Sequence, residues 1–88
     1  MKKVLLFSAP WCDDCIMYKE ILKQIDFEYE EIMVADANYS ISLDGRITKY
    51  DINMIPVLLM VADSGVKEYK RLKGRNHTVE QIKEWLND

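Results

Sequence analysis

Cys12 and Cys15 are the only cysteines in this 88-residue chain, and only Asp13 and Asp14 stand between them. An apolar run, Val4-Leu5-Leu6-Phe7, precedes the pair and a helix-like pattern follows it. Two sulfurs three residues apart on one helical turn can close into a disulfide and reopen. The chemistry is two-electron transfer by thiol–disulfide exchange, in which a thiolate attacks a disulfide sulfur. Cys12 is the expected nucleophile. It lies where strand gives way to helix, beside unpaired backbone N–H groups and the positive end of the helix dipole. Cys15, one turn in and more covered, is the expected resolving thiol, attacking the mixed disulfide to release reduced substrate.

The two aspartates have opposing effects. Acidic residues in a first turn complement the helix dipole by about 0.3–1 kcal/mol each. A carboxylate about 4 Å from a developing thiolate opposes it by about 1 kcal/mol in water, and by more with less screening. Asp13 and Asp14 are therefore expected to raise the Cys12 thiol pKa relative to a neutral insert and to make the couple more reducing. They should also repel acidic partners, glutathione among them. A Cys-x-x-Cys pair can instead be half a zinc site, but zinc takes about four ligands and the only other soft ligand is His77, so no metal is expected. His77 reads as an exposed residue ahead of the last helix. Trp11 and Ile16 flank the thiols as an apolar rim, whereas Trp85 fits a buried helix face.

Elements to position these residues follow from pattern. Val4-Leu5-Leu6-Phe7 reads as a strand buried on both faces. Residues 13–25 place Met17, Tyr18, Ile21, Leu22 and Ile25 at helical spacing, and residues 27–34 read as a second strand. A polar stretch over 36–42 leads to a second helix with Leu43, Ile47 and Tyr50 on one face, although Gly45 lies inside it. Val57-Leu58-Leu59-Met60-Val61 is another buried strand. Asp63-Ser64-Gly65 is a turn, and residues 66–72 return as a hairpin. Thr78 and Gln81 form a capping box for a last helix lined by Val79, Ile82, Trp85 and Leu86. The expectation is a single α/β domain over residues 1–88, ordered β-α-β-α-β-β-α, with a central four-stranded mixed sheet flanked by helices.

The net charge is −3 and 49% of residues are apolar. The chain should fold, and nucleic acid is not expected as a partner, because phosphate binding needs a concentrated basic surface. The basic residues within 67–75 read as the solvated face of an exposed strand. No segment approaches the roughly 20 apolar residues that cross a bilayer. Met1-Lys2-Lys3 and the run after it are too short for a secretory leader. A cytoplasmic setting and a monomer are expected, and there a lone cysteine pair is catalytic more often than structural.

Three segments carry a family resemblance. Phe7-Ser8-Ala9-Pro10-Trp11-Cys12-x-x-Cys15 resembles the active-site strand and loop of thioredoxins. Lys49-Tyr50-Asp51-Ile52-x-x-Ile55-Pro56-Val57 resembles the approach to their cis-proline, and Leu72-Lys73-Gly74 resembles their C-terminal end. In length the chain is similar to glutaredoxins and small glutaredoxin-like thioredoxins. The resemblance implies a thioredoxin-like fold and a cis Ile55–Pro56 bond. It implies that the Ile55 backbone, with Trp11, Ile16, Pro56 and Gly74, receives an extended substrate as an added strand. It implies no bound cofactor, with electrons from a thioredoxin reductase or from glutathione, and disulfide-containing proteins as substrates. The pattern is departed from at Leu6, where thioredoxins carry a buried acid, and at Glu20, where many carry a helix-kinking proline. The Gly-Gly-Asp glutathione signature of glutaredoxins is missing. Glutathione-dependent reduction and a non-catalytic binding module of the same fold stand as alternatives.

Overall fold

The computed structural model describes residues 2–87, so Met1, first residue of the segment weighed as a leader, lies outside them. The elements are β1 (Lys2–Ser8), α1 (Asp13–Leu22), β2 (Glu30–Met33), α2 (Gly45–Lys49), β3 (Val57–Ala62), β4 (Glu68–Lys73) and α3 (Val79–Asn87). The four strands form one mixed sheet in the order β2-β1-β3-β4. β1 runs parallel to β2, and β3 runs antiparallel to both β1 and β4. The element order and the four-stranded mixed sheet agree with the sequence reading.

Strand alternation sends the β1 side chains to opposite faces. Val4 and Leu6 join Leu58, Met60, Tyr18, Leu22 and Ile82 in a core beneath α1 and α3. Leu5 and Phe7 join Ile32, Val57, Leu59, Val61 and Tyr50 on the side of α2. Both faces of the central strands are therefore dry, which is why β1 and β3 read as unbroken apolar runs. Each fully buried Leu or Phe contributes about 1.5–3 kcal/mol.

The elements differ from expectation mainly at their ends. α1 stops at Leu22, and residues 23–25 continue as a turn closed by Gln24 N–H to the Ile21 carbonyl and Ile25 N–H to the Leu22 carbonyl. Its buried stripe is Cys15, Tyr18 and Leu22, so Met17, expected on that face, points to solvent. β2 pairs only over Glu30–Met33. Phe27 and Tyr29 instead pack on each other, ring centroids 5.3 Å apart, within the connection. The second helix is shorter than its pattern implied. Asp44 caps it, accepting the Arg46 N–H at 2.9 Å, so Leu43 precedes the helix and is 99% exposed. Gly45 occupies the first helical position, where it breaks nothing. β4 begins at Glu68, leaving Val66 outside the ladder. The basic residues near it are not simply solvated: Arg71 pairs with Glu68 and donates to the Tyr50 carbonyl, and Lys70 reaches the Trp85 carbonyl. The capping box forms as expected, Thr78 N–H donating to Gln81 at 2.8 Å and Gln81 N–H to Thr78 at 3.1 Å. No helix among the described residues is long and apolar enough to cross a membrane.

Candidate active site

β1 ends at Ser8, and Ala9-Pro10-Trp11 turns the chain into α1 with a Cys12 N–H bond to the Ala9 carbonyl. Cys12 is thereby placed at the N-cap. Its backbone is extended, and its sulfur accepts the Cys15 N–H at 3.1 Å. Cys12 and Cys15 are joined as a disulfide, their Cα atoms 5.2 Å apart. The sulfurs are not equivalent: Cys12 is partly open to solvent and Cys15 is fully buried. An N–H aimed at a sulfur favours its charged form, as does the adjacent helix N-terminus.

Asp13 and Asp14 both face solvent. Asp14 is paired across the groove with Arg75, Nε to Oδ1 at 2.8 Å. Gly74 makes this reach available. It holds φ +81, a conformation that a side chain would strain, and its N–H donates to the Pro56 carbonyl at 2.8 Å. Ile55–Pro56 is a cis bond. Pro56 is buried and Ile55 half-buried, and the Ile55 N–H and carbonyl have no partner among the described residues. Ile16 is exposed on the first turn of α1, and Trp11 is 39% exposed. The residues singled out from sequence, Trp11, Cys12, Asp13, Asp14, Cys15, Ile16, Ile55, Pro56 and Gly74, thus come from three separate segments and meet at the carboxyl end of β1. His77 stands apart, its ring nitrogen donating to the Lys73 carbonyl at 2.8 Å.

Three features were not read from sequence. Tyr39 stacks on Trp11, centroids 5.0 Å apart at 23°. Arg75, grouped by sequence with the basic residues of 67–75, pairs instead with Asp14, and nothing in a linear charge pattern links the two. Ser8, buried at the end of β1, donates to the Glu31 carboxylate, which also accepts from Lys19 at 2.8 Å. Glu31 stands in register with Leu6, which is itself fully buried in the core beneath α1. Burial pushes the Glu31 carboxyl up, but hydrogen bonds from Lys19 and Ser8 and the Lys19 charge outweigh it and hold the group below its ordinary value.

The thioredoxin family model matches residues 1–88. The chain belongs to the thioredoxin family. A thioredoxin from Mycoplasmopsis pulmonis (strain UAB CTIP) is 32% identical over 63 residues, covering 65% of this chain and 58% of that protein. DnaJ homolog subfamily C member 10 from Rattus norvegicus is 30% identical over 83 residues, covering 93% of this chain and 10% of that protein. The chain therefore spans less than two thirds of the length of these relatives. Among solved structures, mitochondrial thioredoxin 3 of Saccharomyces cerevisiae in its oxidised form superposes with a TM-score of 0.70 at 20% identity, covering 99% of this chain and 77% of that one. A Malassezia sympodialis thioredoxin gives 0.70 at 15% identity, covering 98% and 72%. At these identities the structures establish the shared fold.

Proposed function

We propose that this chain is a thiol–disulfide oxidoreductase that reduces disulfides in protein partners, with Cys12 as attacking nucleophile and Cys15 as resolving thiol. The observation that carries the reading is the inequality of the sulfurs: Cys12 accessible at a helix N-cap and receiving an N–H, Cys15 wholly covered. In the reduced protein the Cys12 thiolate attacks one sulfur of the partner's disulfide. That bond breaks, the first partner thiolate leaves, and a mixed disulfide forms. Cys15, on losing its proton, attacks the Cys12 sulfur. The second partner thiolate leaves, and the Cys12–Cys15 bond holds the oxidising equivalent. Two electrons have passed to the partner, and a reductase or glutathione returns them. The unpartnered Ile55 backbone groups suit an extended partner segment added as a strand.

A thioredoxin-like donor is favoured over glutathione. Asp13 leaves a negative charge beside the reactive sulfur, and Gly74-Arg75-Asn76 replaces the Gly-Gly-Asp turn of glutaredoxins. The proposed setting is the cytoplasm. The test is a coupled assay in which oxidised protein is offered NADPH with a thioredoxin reductase, or glutathione with glutathione reductase, and NADPH loss is followed. Turnover with the first system and little with the second is expected. The reverse would assign the chain to glutathione, and no turnover with either, together with failure of the dithiol form to reduce insulin, would leave a binding module.

A further inference from the structure

The loop over residues 35–42 is ordered well beyond what a connection from β2 to α2 requires. Asp36 Oδ1 accepts the N–H groups of Asn38 at 2.8 Å and Ser40 at 3.0 Å. Asp36 N–H donates to the Ser40 carbonyl, Tyr39 N–H to the Asp36 carbonyl, and Ser42 N–H to the Val34 carbonyl, while Ala35 and Ile41 form a bridge. This scaffold turns two large apolar side chains outward, Tyr39 at 67% and Ile41 at 80% exposure. Tyr39 also has a φ of 66. A left-handed backbone costs a residue with a side chain roughly 1–2 kcal/mol. An aromatic stack returns about 0.5–1.5 kcal/mol, and most of the ring stays in water. The arrangement gives the fold little net stability, so its rationale lies in what the ring meets.

The ring meets Trp11, next to Cys12. Trp11 walls a cavity of about 230 Å³ with Val34, Ile52, Met54 and Ile55, the segment that leads into the cis-proline. The loop that carries Tyr39 also borders a second cavity, of about 410 Å³, through Ala35, Ser40 and Ile41 together with Pro10 and Met33. The aromatic pair makes one apolar surface beginning at the residue before the reactive Cys12, and the exposed Asp13 is the residue after it. We propose that Tyr39 is a specificity-determining residue that selects disulfide-bearing protein segments with apolar, non-acidic residues flanking the cystine over small disulfides. This deepens the oxidoreductase reading and rests on it. The segment lies along the cis-proline loop, and residues beside its cystine cover the Trp11–Tyr39 surface. A small disulfide ends before it reaches Tyr39.

The test compares the parent with Tyr39→Asn and Tyr39→Phe, all in the dithiol form. Asparagine suits the left-handed backbone and removes the ring, so the loop keeps its shape; phenylalanine keeps the ring. Rates are measured against insulin and against hydroxyethyl disulfide. Tyr39→Asn should lower kcat/KM for insulin by about tenfold, the equivalent of roughly 1.4 kcal/mol of contact, mainly through KM. Its rate with hydroxyethyl disulfide should stay within about twofold, and Tyr39→Phe should match the parent on both. Parallel loss on both substrates, or an unchanged insulin rate, would overturn the role of Tyr39 while leaving the oxidoreductase reading intact. A parent inert toward both disulfides would overturn that reading and this one with it.

Discussion

At Cys12 the electrostatics are finely divided. The helix N-terminus and the Cys15 N–H favour a thiolate, two neighbouring carboxylates oppose it, and Arg75 offsets one of them. Asp13 has no such counter-ion among the described ion pairs, so the two aspartates should act unequally. Asp13→Asn should lower the Cys12 thiol pKa, because it removes a like charge next to the developing thiolate. Asp14→Asn should lower it less, because its partner already cancels part of its charge, and Arg75→Gln should raise it. Alkylation rate against pH reads all three, and an unchanged or higher pKa in both aspartate variants would reject the idea. The pair is exposed, so added salt should shrink these differences. The cysteines and aspartates were legible because spacing alone defines them. The Arg75 contact was not, since it depends on the Gly74 turn carrying a side chain across some sixty residues of sequence to α1.

Capping decides where the helices start, and it explains what was misread. The pattern of Leu43, Ile47 and Tyr50 invited a longer α2, but the Asp44 carboxylate takes the Arg46 N–H and sets the start at Gly45, two residues after Leu43. Thr78 and Gln81 were read correctly because a reciprocal cap has a sequence signature. Thr78→Ala should cost about 1 kcal/mol in denaturant unfolding. Charge at these element ends also sets acid sensitivity. Side-chain and backbone hydrogen bonds from Arg46 pull the Asp44 carboxyl down to about 2, against burial. Bonds from Arg71 hold Glu68 below its ordinary value, as those from Lys19 and Ser8 hold Glu31. A carboxylate lowered on folding stabilises above its unfolded pKa and loses that contribution as pH falls through the folded one. Stability should therefore decline from about pH 4 toward pH 2. Asp44→Asn, which keeps a good cap but does not titrate, should flatten part of that decline when unfolding midpoints are measured against pH.

Across the whole molecule, two apolar cores sandwich a sheet that holds the site at the carboxyl end of β1. The apolar runs made β1 and β3 legible, and the β-α-β-α-β-β-α order followed from them. Tyr39 escaped because exposed aromatics in a polar stretch carry no periodic signal, and only the folded Asp36 turn brings one against Trp11. Leu6, fully buried beneath α1, should cost about 2–5 kcal/mol on Leu6→Ala. Ile41→Ala, on the outer loop, should stay within about 0.5 kcal/mol, both variants being read by urea unfolding. The division of labour between the sulfurs is tested most directly by mass spectrometry of single-cysteine variants mixed with a disulfide-bearing protein. Cys15→Ser should accumulate a covalent adduct through Cys12, and Cys12→Ser should form none and lose turnover. An adduct through Cys15, or a Cys12→Ser variant as active as the parent, would contradict the account.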